Sequence, residues 1–291
     1  MSARMINRRE FGQAMASAGG ALLGSTLLGG WARPSPTEKT PVALQLYTVR
    51  DLIQADFTGT LKKVSKIGYD AVEFATHYGG LPPSQLKSIL ADLGLKCAGA
   101  HEGFDRLDKE LDQVVAFHQS LGNTFITCPA IPQSWREKGA DGYRQFGQRL
   151  NEIGAQIKKS GMQLCYHNHS FEFVKADGKY LLDILFEAAD PGAVQAEIDV
   201  YWVTHAGEDP VSFIRKHAGR CPLFHIKDMK PGEKKEFAPV GRGIIKMKEV
   251  IQAAQASGAV WLIVEQDRTD GSPLEAIEIS LKSMRRLLLK S

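Results

Sequence analysis

The sequence predicts a (β/α)₈ barrel, in which eight parallel strands close on themselves inside a ring of helices. Short apolar runs alternate with longer segments of helical periodicity along most of the chain. The runs number eight, the count that a closed barrel needs. They lie near residues 42–47, 70–74, 95–100, 123–127, 162–167, 194–199, 221–226 and 260–265. Because helices separate the strands, consecutive strands are expected to run parallel.

The segments between the strands have the apolar spacing of amphipathic helices, as at Leu61, Val64 and Ile67. Several predicted helices end in a glycine suited to a left-handed C-cap, shortly before the next strand. These glycines are Gly68, Gly94, Gly122, Gly161 and Gly258. A doubly wound open sheet shares the alternation, but it would more often place a glycine-rich phosphate loop after its first strand. This chain continues there as Gln45-Leu46-Tyr47-Thr48-Val49-Arg50.

Length and charge exclude several function classes. The chain has 291 residues, of which 43% are hydrophobic, enough to bury one large core. Without its first 32 residues it carries 33 basic and 32 acidic side chains. This balance provides no broad cationic surface, so we expect no nucleic-acid partner. The possible partners are a small-molecule sugar and, as an open alternative, further copies of the chain.

The amino terminus is predicted to be an export signal. Residues 1–32 combine a basic start, an apolar stretch and a small residue, Ala32, and a proline-containing linker follows at 33–41. The segment Asn7-Arg8-Arg9-Glu10-Phe11 resembles a twin-arginine signal, which implies recognition by the export machinery and a periplasmic location. An uncleaved anchor or a disordered tail is the alternative. The barrel is then expected over residues 42–291.

The four cysteines are expected to be buried thiols. They lie in or beside predicted strands and show no C-x-x-C spacing. They are Cys97, Cys128, Cys165 and Cys221.

Residues of the types that commonly bind metal ions lie at the carboxyl ends of the last predicted strands. In a (β/α)₈ barrel, catalytic groups come from the carboxyl ends of the strands. Asp199, His225 and Glu265 each follow an apolar run, so three strands would direct their side chains toward one point. Carboxylate and imidazole ligands without a thiolate favour a divalent ion such as Mn²⁺, Mg²⁺, Co²⁺ or Zn²⁺.

Five motifs, in this order, make the chain similar to the xylose isomerase-like TIM-barrel superfamily, in its sugar phosphate isomerase/epimerase branch. The resemblance covers about residues 42 to 290. The motifs are Leu44-Gln45-Leu46-Tyr47-Thr48-Val49-Arg50, Gly68-Tyr69-Asp70-Ala71-Val72-Glu73, Tyr166-His167-Asn168-His169-Ser170-Phe171-Glu172-Phe173, His225-Ile226-Lys227-Asp228 and Pro239-Val240-Gly241-Arg242-Gly243. The resemblance implies metal ligands of the order Glu, Asp, His and Glu from strands five to eight, and the last three fall on Asp199, His225 and Glu265.

The fourth ligand departs from the family pattern. Many relatives end strand five in a glutamate, whereas this chain has His167 there and Glu172 five residues later. We expect Glu172 to be the ligand, with His167 or His169 as the alternatives.

The resemblance implies an isomerase or epimerase that acts through an enediolate. Glu172 and Glu265 would serve as base and acid on opposite faces of the substrate. His101 and Lys227 are further catalytic candidates, although Lys227 could instead pair with Asp228. The expected substrate-binding residues are Gln45, Tyr47, Glu73, His169, Trp202 and Arg242.

Other functions remain open. The same enediolate could expel a leaving group, which would make the protein a lyase or dehydratase of a keto-sugar or keto-inositol. A sugar-binding barrel without turnover is a further alternative, and an apurinic endonuclease would need more histidine ligands and a basic surface. Because sugar phosphates are chiefly intracellular, export favours an unphosphorylated substrate.

Overall fold

Eight parallel strands close into a barrel in the computed structural model, which describes residues 40–289. The barrel strands are β1 (Val42–Gln45), β2 (Ala71–Ala75), β3 (Lys96–His101), β4 (Phe125–Cys128), β5 (Gln163–His167), β8 (Val194–Asp199), β9 (Leu223–Ile226) and β12 (Trp261–Val264). Two short antiparallel pairs lie between them: β6 (Lys175–Ala176) with β7 (Lys179–Tyr180), and β10 (Asp228–Met229) with β11 (Phe237–Ala238). The predicted fold is confirmed, and β12 pairs with β1 to close the sheet.

Helices connect consecutive barrel strands. They are α1 (Arg50–Ala55), α2 (Phe57–Ile67), α3 (Pro83–Asp92), α4 (Phe104–Lys109), α5 (Leu111–Leu121), α6 (Gln133–Arg136), α7 (Gly139–Lys159), α8 (Leu181–Glu187), α9 (Val200–His205), α10 (Pro210–Lys216), α11 (Met247–Ala256) and α12 (Pro273–Leu288). Gly68 and Gly122 end α2 and α5 with φ of +105° and +83°. Both have the left-handed conformation that was predicted for glycines at the ends of helices. The strand predicted over 42–47 ends at Gln45, because the Gln45 side chain accepts a hydrogen bond from the Tyr47 N–H and starts a 3₁₀ turn.

Strand pleating sorts the barrel interior into layers. Successive side chains alternate between the interior and the helices, so residues two apart face the same way. A floor of apolar side chains fills the amino-terminal end of the interior. Its members are Ala43, Ala71, Ala98, Phe125, Cys165, Leu223, Trp261 and Ile263. Two positions after the floor residues Cys165, Leu223 and Ile263, the interior side chains are His167, His225 and Glu265.

Strand β3 contains a bulge that sets the direction of its last side chains. The pairing with β2 runs Val72 to Cys97 and then Glu73 to Gly99, so Ala98 is an extra residue. After the bulge, His101 pairs with Ala75. The bulge therefore places Gly99 and His101 on the interior face.

The export signal predicted for residues 1–32 and most of the linker at 33–41 lie outside the described residues. Within residues 40–289, no helix is long and apolar enough to span a membrane. The four cysteines are free thiols, three of them buried and Cys97 half-buried.

Candidate metal centre and active site

Four side chains meet where β5, β8, β9 and β12 end. His167, Asp199, His225 and Glu265 each offer one ligand atom, and these atoms lie within 4.8 Å of one another. All four residues are buried. The structure thus brings together the three residues predicted as metal ligands, and His167 takes the fourth position.

The distances define a compact group of nitrogen and oxygen atoms. Nδ1 of His225 lies 2.7 Å from Oε2 of Glu265 and 3.9 Å from Oδ2 of Asp199. Nε2 of His167 lies 3.3 Å from the same Asp199 oxygen. The other Asp199 oxygen accepts a hydrogen bond from the Trp202 N–H at 3.0 Å and caps α9. Helix capping therefore uses one oxygen of Asp199, and the other oxygen faces His167 and His225.

The donor set fits a divalent cation. Nε2 of His225 lies 2.7 Å from Oε2 of Glu73, which also accepts from the Gln45 amide at 2.8 Å. A neutral imidazole carries one N–H, and a carboxylate partner fixes it on that nitrogen. With the proton on Nε2, the lone pair of Nδ1 would face Glu265, and a cation bound by both would compensate the two acceptors. Two imidazole nitrogens and two carboxylate oxygens suit Zn²⁺, Co²⁺ or Mn²⁺.

Lys227 joins the carboxylates of this group. Its Nζ lies 2.6 Å from Glu265, 2.7 Å from Asp267 and 2.9 Å from Asp199. Burial lowers the pKa of Lys227, but Asp199 and Glu265 outweigh burial and hold that pKa well above its usual range. Burial raises the pKa of Asp199, and Lys227 outweighs it, so the pKa falls to about 2. Lys227 is therefore an ammonium ion.

Asp228 does not pair with Lys227, contrary to one of the alternatives considered for these neighbours. Its Oδ2 accepts hydrogen bonds from the N–H groups of Gly241 and Gly243, each at 2.9 Å. These bonds hold the loop that carries Arg242. The Arg242 side chain is exposed and does not line the cavity described below.

The four residues His167, Asp199, His225 and Glu265 form an outer polar layer. A second polar layer, the deep layer, lies beneath it. Oε2 of Glu197 lies 2.7 Å from Nε2 of His101, and Glu73 lies beside both His101 and His225. Burial raises the pKa of Glu73 to about 7, and the charge of Glu197 adds to this shift. Glu197 was not among the predicted site residues. Its position two residues before Asp199 on the same strand face was the signal that could have identified it.

Glu172, predicted as the fourth ligand and as a catalytic base, lies outside both layers. A 3₁₀ turn over Phe171–Phe173 places its carboxylate where it accepts hydrogen bonds from the Tyr166 hydroxyl at 2.8 Å and the His169 N–H at 2.9 Å. The side chain is fully buried, which raises its pKa to about 7. The geometry therefore favours His167 over Glu172 as the fourth donor.

A cavity of about 300 Å³ opens over the first layer. Its lining residues are Tyr47, Ala75, Thr76, His101, Pro129, His167, His169, Lys227, Glu265 and Asp267. Of the residues predicted to contact substrate, Tyr47 and His169 line it. Gln45 and Glu73 lie below it, and Trp202 stands behind His169, with ring centroids 5.4 Å apart. Burial lowers the pKa of His169 to about 3, so its imidazole is neutral.

Comparison with known proteins agrees with this architecture. Residues 61–287 match the family described as xylose isomerase-like TIM barrel. An inosose dehydratase of Lacticaseibacillus casei is 26% identical over 164 residues, which is 50% of this chain and 54% of the relative. The alignment thus spans about half the length of that curated relative.

Solved structures show the same fold. A sugar phosphate isomerase/epimerase of Parabacteroides distasonis superposes with a TM-score of 0.74 at 23% identity, over 87% of this chain and 96% of that one. A structure of the IOLI protein with a bound zinc atom superposes with a TM-score of 0.67 at 14% identity, over 86% and 98% of the two chains.

Proposed function

The chain belongs to the xylose isomerase-like TIM-barrel family, and we propose that it is a divalent-metal-dependent enzyme that moves a proton on the carbon next to a carbonyl group of a keto-sugar. The observation that carries the proposal is the four-donor group of His167, Asp199, His225 and Glu265 beneath a sugar-sized cavity. These four residues would hold the ion. When bound, it would supply Lewis-acid polarisation of the carbonyl oxygen and so acidify the neighbouring C–H.

We assign the transfer of the proton to two cavity-lining side chains. Glu265 lies beside Lys227 at one part of the lining, and His101 lies at another, held by Glu197. Glu172 does not reach the cavity lining, so we assign the second proton-transfer role to His101. Returning the proton to the other face would give an epimer, and returning it to the other carbon would give an isomer.

The charges at the cavity favour an unphosphorylated substrate. Among the lining residues within the described chain, Lys227 is the sole lysine or arginine, and three carboxylates already occupy its ammonium group. Phosphate binding normally needs an available guanidinium or ammonium group, or free backbone N–H groups. A neutral ketose or keto-glycoside fits the lining better, in keeping with the export predicted for residues 1–32.

Dehydration is the second candidate function. The similarity to an inosose dehydratase favours it. The first step would be the same removal of a proton next to the carbonyl. A hydroxyl group on the adjacent carbon would then leave as water, after protonation by an acid at the cavity.

Proton exchange in heavy water tests both candidates. The metal-loaded protein would be incubated with unphosphorylated ketoses, 3-keto-glycosides and keto-inositols, and followed by NMR. We expect deuterium at the carbon next to the carbonyl, with an epimer or isomer for the first function and an unsaturated or deoxy product for the second. A Glu265→Gln variant is the matched control. Absence of exchange with every substrate, in protein shown to contain its metal, would contradict the proposal.

A further inference from the structure

The second polar layer has the composition of a metal site of its own. Glu73, His101, Glu197 and His225 each offer one ligand atom, and these atoms lie within 4.8 Å of one another. All four side chains are buried, with Glu73, Glu197 and His225 fully enclosed. The proposed function uses His101 at the cavity and His225 as an outer ligand, and it assigns no ion to this layer.

The spacing of the four donor atoms suits a small tetrahedral ion. Nε2 of His101 lies 3.5 Å from Oε2 of Glu73, and Nε2 of His225 lies 3.5 Å from Oε1 of Glu197. Ligand atoms around a tetrahedral zinc ion with bonds of about 2.1 Å are about 3.4 Å apart. The two closer pairs, His101 with Glu197 and His225 with Glu73, are each 2.7 Å apart. They would need to separate by about 0.7 Å to reach the tetrahedral spacing.

Two carboxylate oxygens in this layer have no hydrogen-bond donor. Oε1 of Glu197, which faces Nε2 of His225, is buried without a partner, and so is Oε1 of Glu73. A buried acceptor without a donor is costly. Gly99 makes room for this carboxylate, because a Cβ atom at Gly99 would lie 2.8 Å from Oε1 of Glu73.

Charge balance also calls for a cation here. The ion pairs of Lys227 go to Asp199, Glu265 and Asp267, and none goes to Glu73 or Glu197. Among the residues that the structure describes, the negative charges of Glu73 and Glu197 can therefore be compensated only by His101 and His225. If Nδ1 of His225 binds an ion in the outer group, His225 cannot also be an imidazolium ion, so two buried carboxylates are left with His101 alone.

We propose that Glu73, His101, Glu197 and His225 bind a second divalent cation, best matched by Zn²⁺, which replaces the Nε2 proton of His225; that proton is released to solvent, and the ring, as an imidazolate, bridges an outer and a deep ion. The deep ion is structural, because Glu73, Glu197 and His225 are fully buried and His101 alone of the four ligands lines the cavity. This inference uses the outer site of the proposed function only for the bridging role of His225.

Metal stoichiometry tests the inference without any substrate. The full chain would be stripped with a chelator, reloaded with zinc chloride, dialysed and measured by plasma mass spectrometry. We expect two equivalents in the wild type, one in Asp199→Asn, which damages the outer group, and one in Glu197→Gln, which damages the deep group. Glu102→Gln is the matched control and should retain two. Glu102 is buried beside His101 in the chain but accepts hydrogen bonds from Tyr78, Arg106 and His118.

The pattern of loss separates the two sites. One wild-type equivalent that Glu197→Gln keeps and Asp199→Asn loses would overturn the deep site and leave the outer site standing. The reverse pattern would support the deep site and overturn the outer one, and no bound zinc would overturn both. Anomalous scattering from zinc-loaded wild-type crystals gives the same decision if a variant fails to fold, since a peak confined to the Nδ1 side of His225 would refute the deep site.

Discussion

The two polar layers of the barrel use similar side chains but differ in their access to solvent and in their compensating charge. The outer layer contains Lys227 and borders the cavity through His167 and Glu265. Within residues 40–289, the deep layer forms no ion pair with a lysine or arginine and keeps two carboxylate oxygens without donors. The difference teaches that residues two apart on one strand, such as Glu197 and Asp199, can serve layers with different access to solvent and different compensating charge.

The largest expected effect is on turnover and comes from the outer layer. Glu265→Gln keeps the size of the side chain but removes a ligand charge and a proton-transfer group. We expect turnover to fall by at least about 10³-fold. Steady-state kinetics with the substrate found by deuterium exchange would measure this. Turnover within tenfold of wild type would remove Glu265 from the chemistry.

Lys227→Met should cause the largest loss of stability. It leaves the buried carboxylates of Asp199 and Glu265 and the half-buried carboxylate of Asp267 without their cation, at a cost of about 3–5 kcal/mol. Saturating zinc should recover part of this loss, which urea unfolding with and without metal would reveal. Lys230→Met is the control, because Lys230 pairs with Glu236 and Asp270 at the surface. Equal stabilities for the two variants would show that Lys227 does not hold the outer carboxylates together.

The fourth ligand can be decided by a pair of substitutions. His167→Ala should weaken zinc binding by about 10- to 100-fold or more, because it removes a donor of the outer group. Glu172→Gln should leave zinc affinity within about twofold, since its carboxylate bonds to Tyr166 and His169 instead. Competition with a chromogenic chelator would measure both affinities. The opposite ranking would restore Glu172 as the ligand.

The pH dependence of stability provides a smaller effect. Burial raises the pKa of Glu172 from 4.5 to about 7 in the folded state, so the folded protein holds this proton more tightly. The free energy of unfolding should therefore fall as pH rises from about 5 to 8. Glu172→Gln should make this total fall smaller by about 1–3 kcal/mol. Urea unfolding at several pH values would test this. An unchanged slope would mean that Glu172 is ionised in the folded protein at pH 5.

The smallest effect is expected at the loop beyond the cavity. Arg242 was predicted to bind substrate, but its side chain is exposed and outside the cavity lining. Arg242→Ala should change KM by less than about twofold and stability by less than about 0.5 kcal/mol. A tenfold rise in KM would show that the loop closes over the substrate.

The sequence was sufficient for the barrel and for most of its outer layer. Alternating strands and helices determine the order of the sheet, and strand ends identify Asp199, His225 and Glu265. The fourth position was harder, because a single turn at Phe171–Phe173 decides whether Glu172 or His167 faces the interior. Predicting the deep layer requires the direction of each side chain within its strand. Strand ends alone do not give this direction.

The bulge at Ala98 has a consequence for how this barrel could change over evolution. Regular pairing of the same residues, without the bulge, would set Ala98 opposite Glu73 and turn the rest of β3 by one pleat. His101 would then point toward the helices, and Ala100 would take its place. Deleting Ala98 would instead keep Gly99 opposite Glu73 and His101 opposite Ala75, so a residue can be lost here in evolution without moving the imidazole out of the interior.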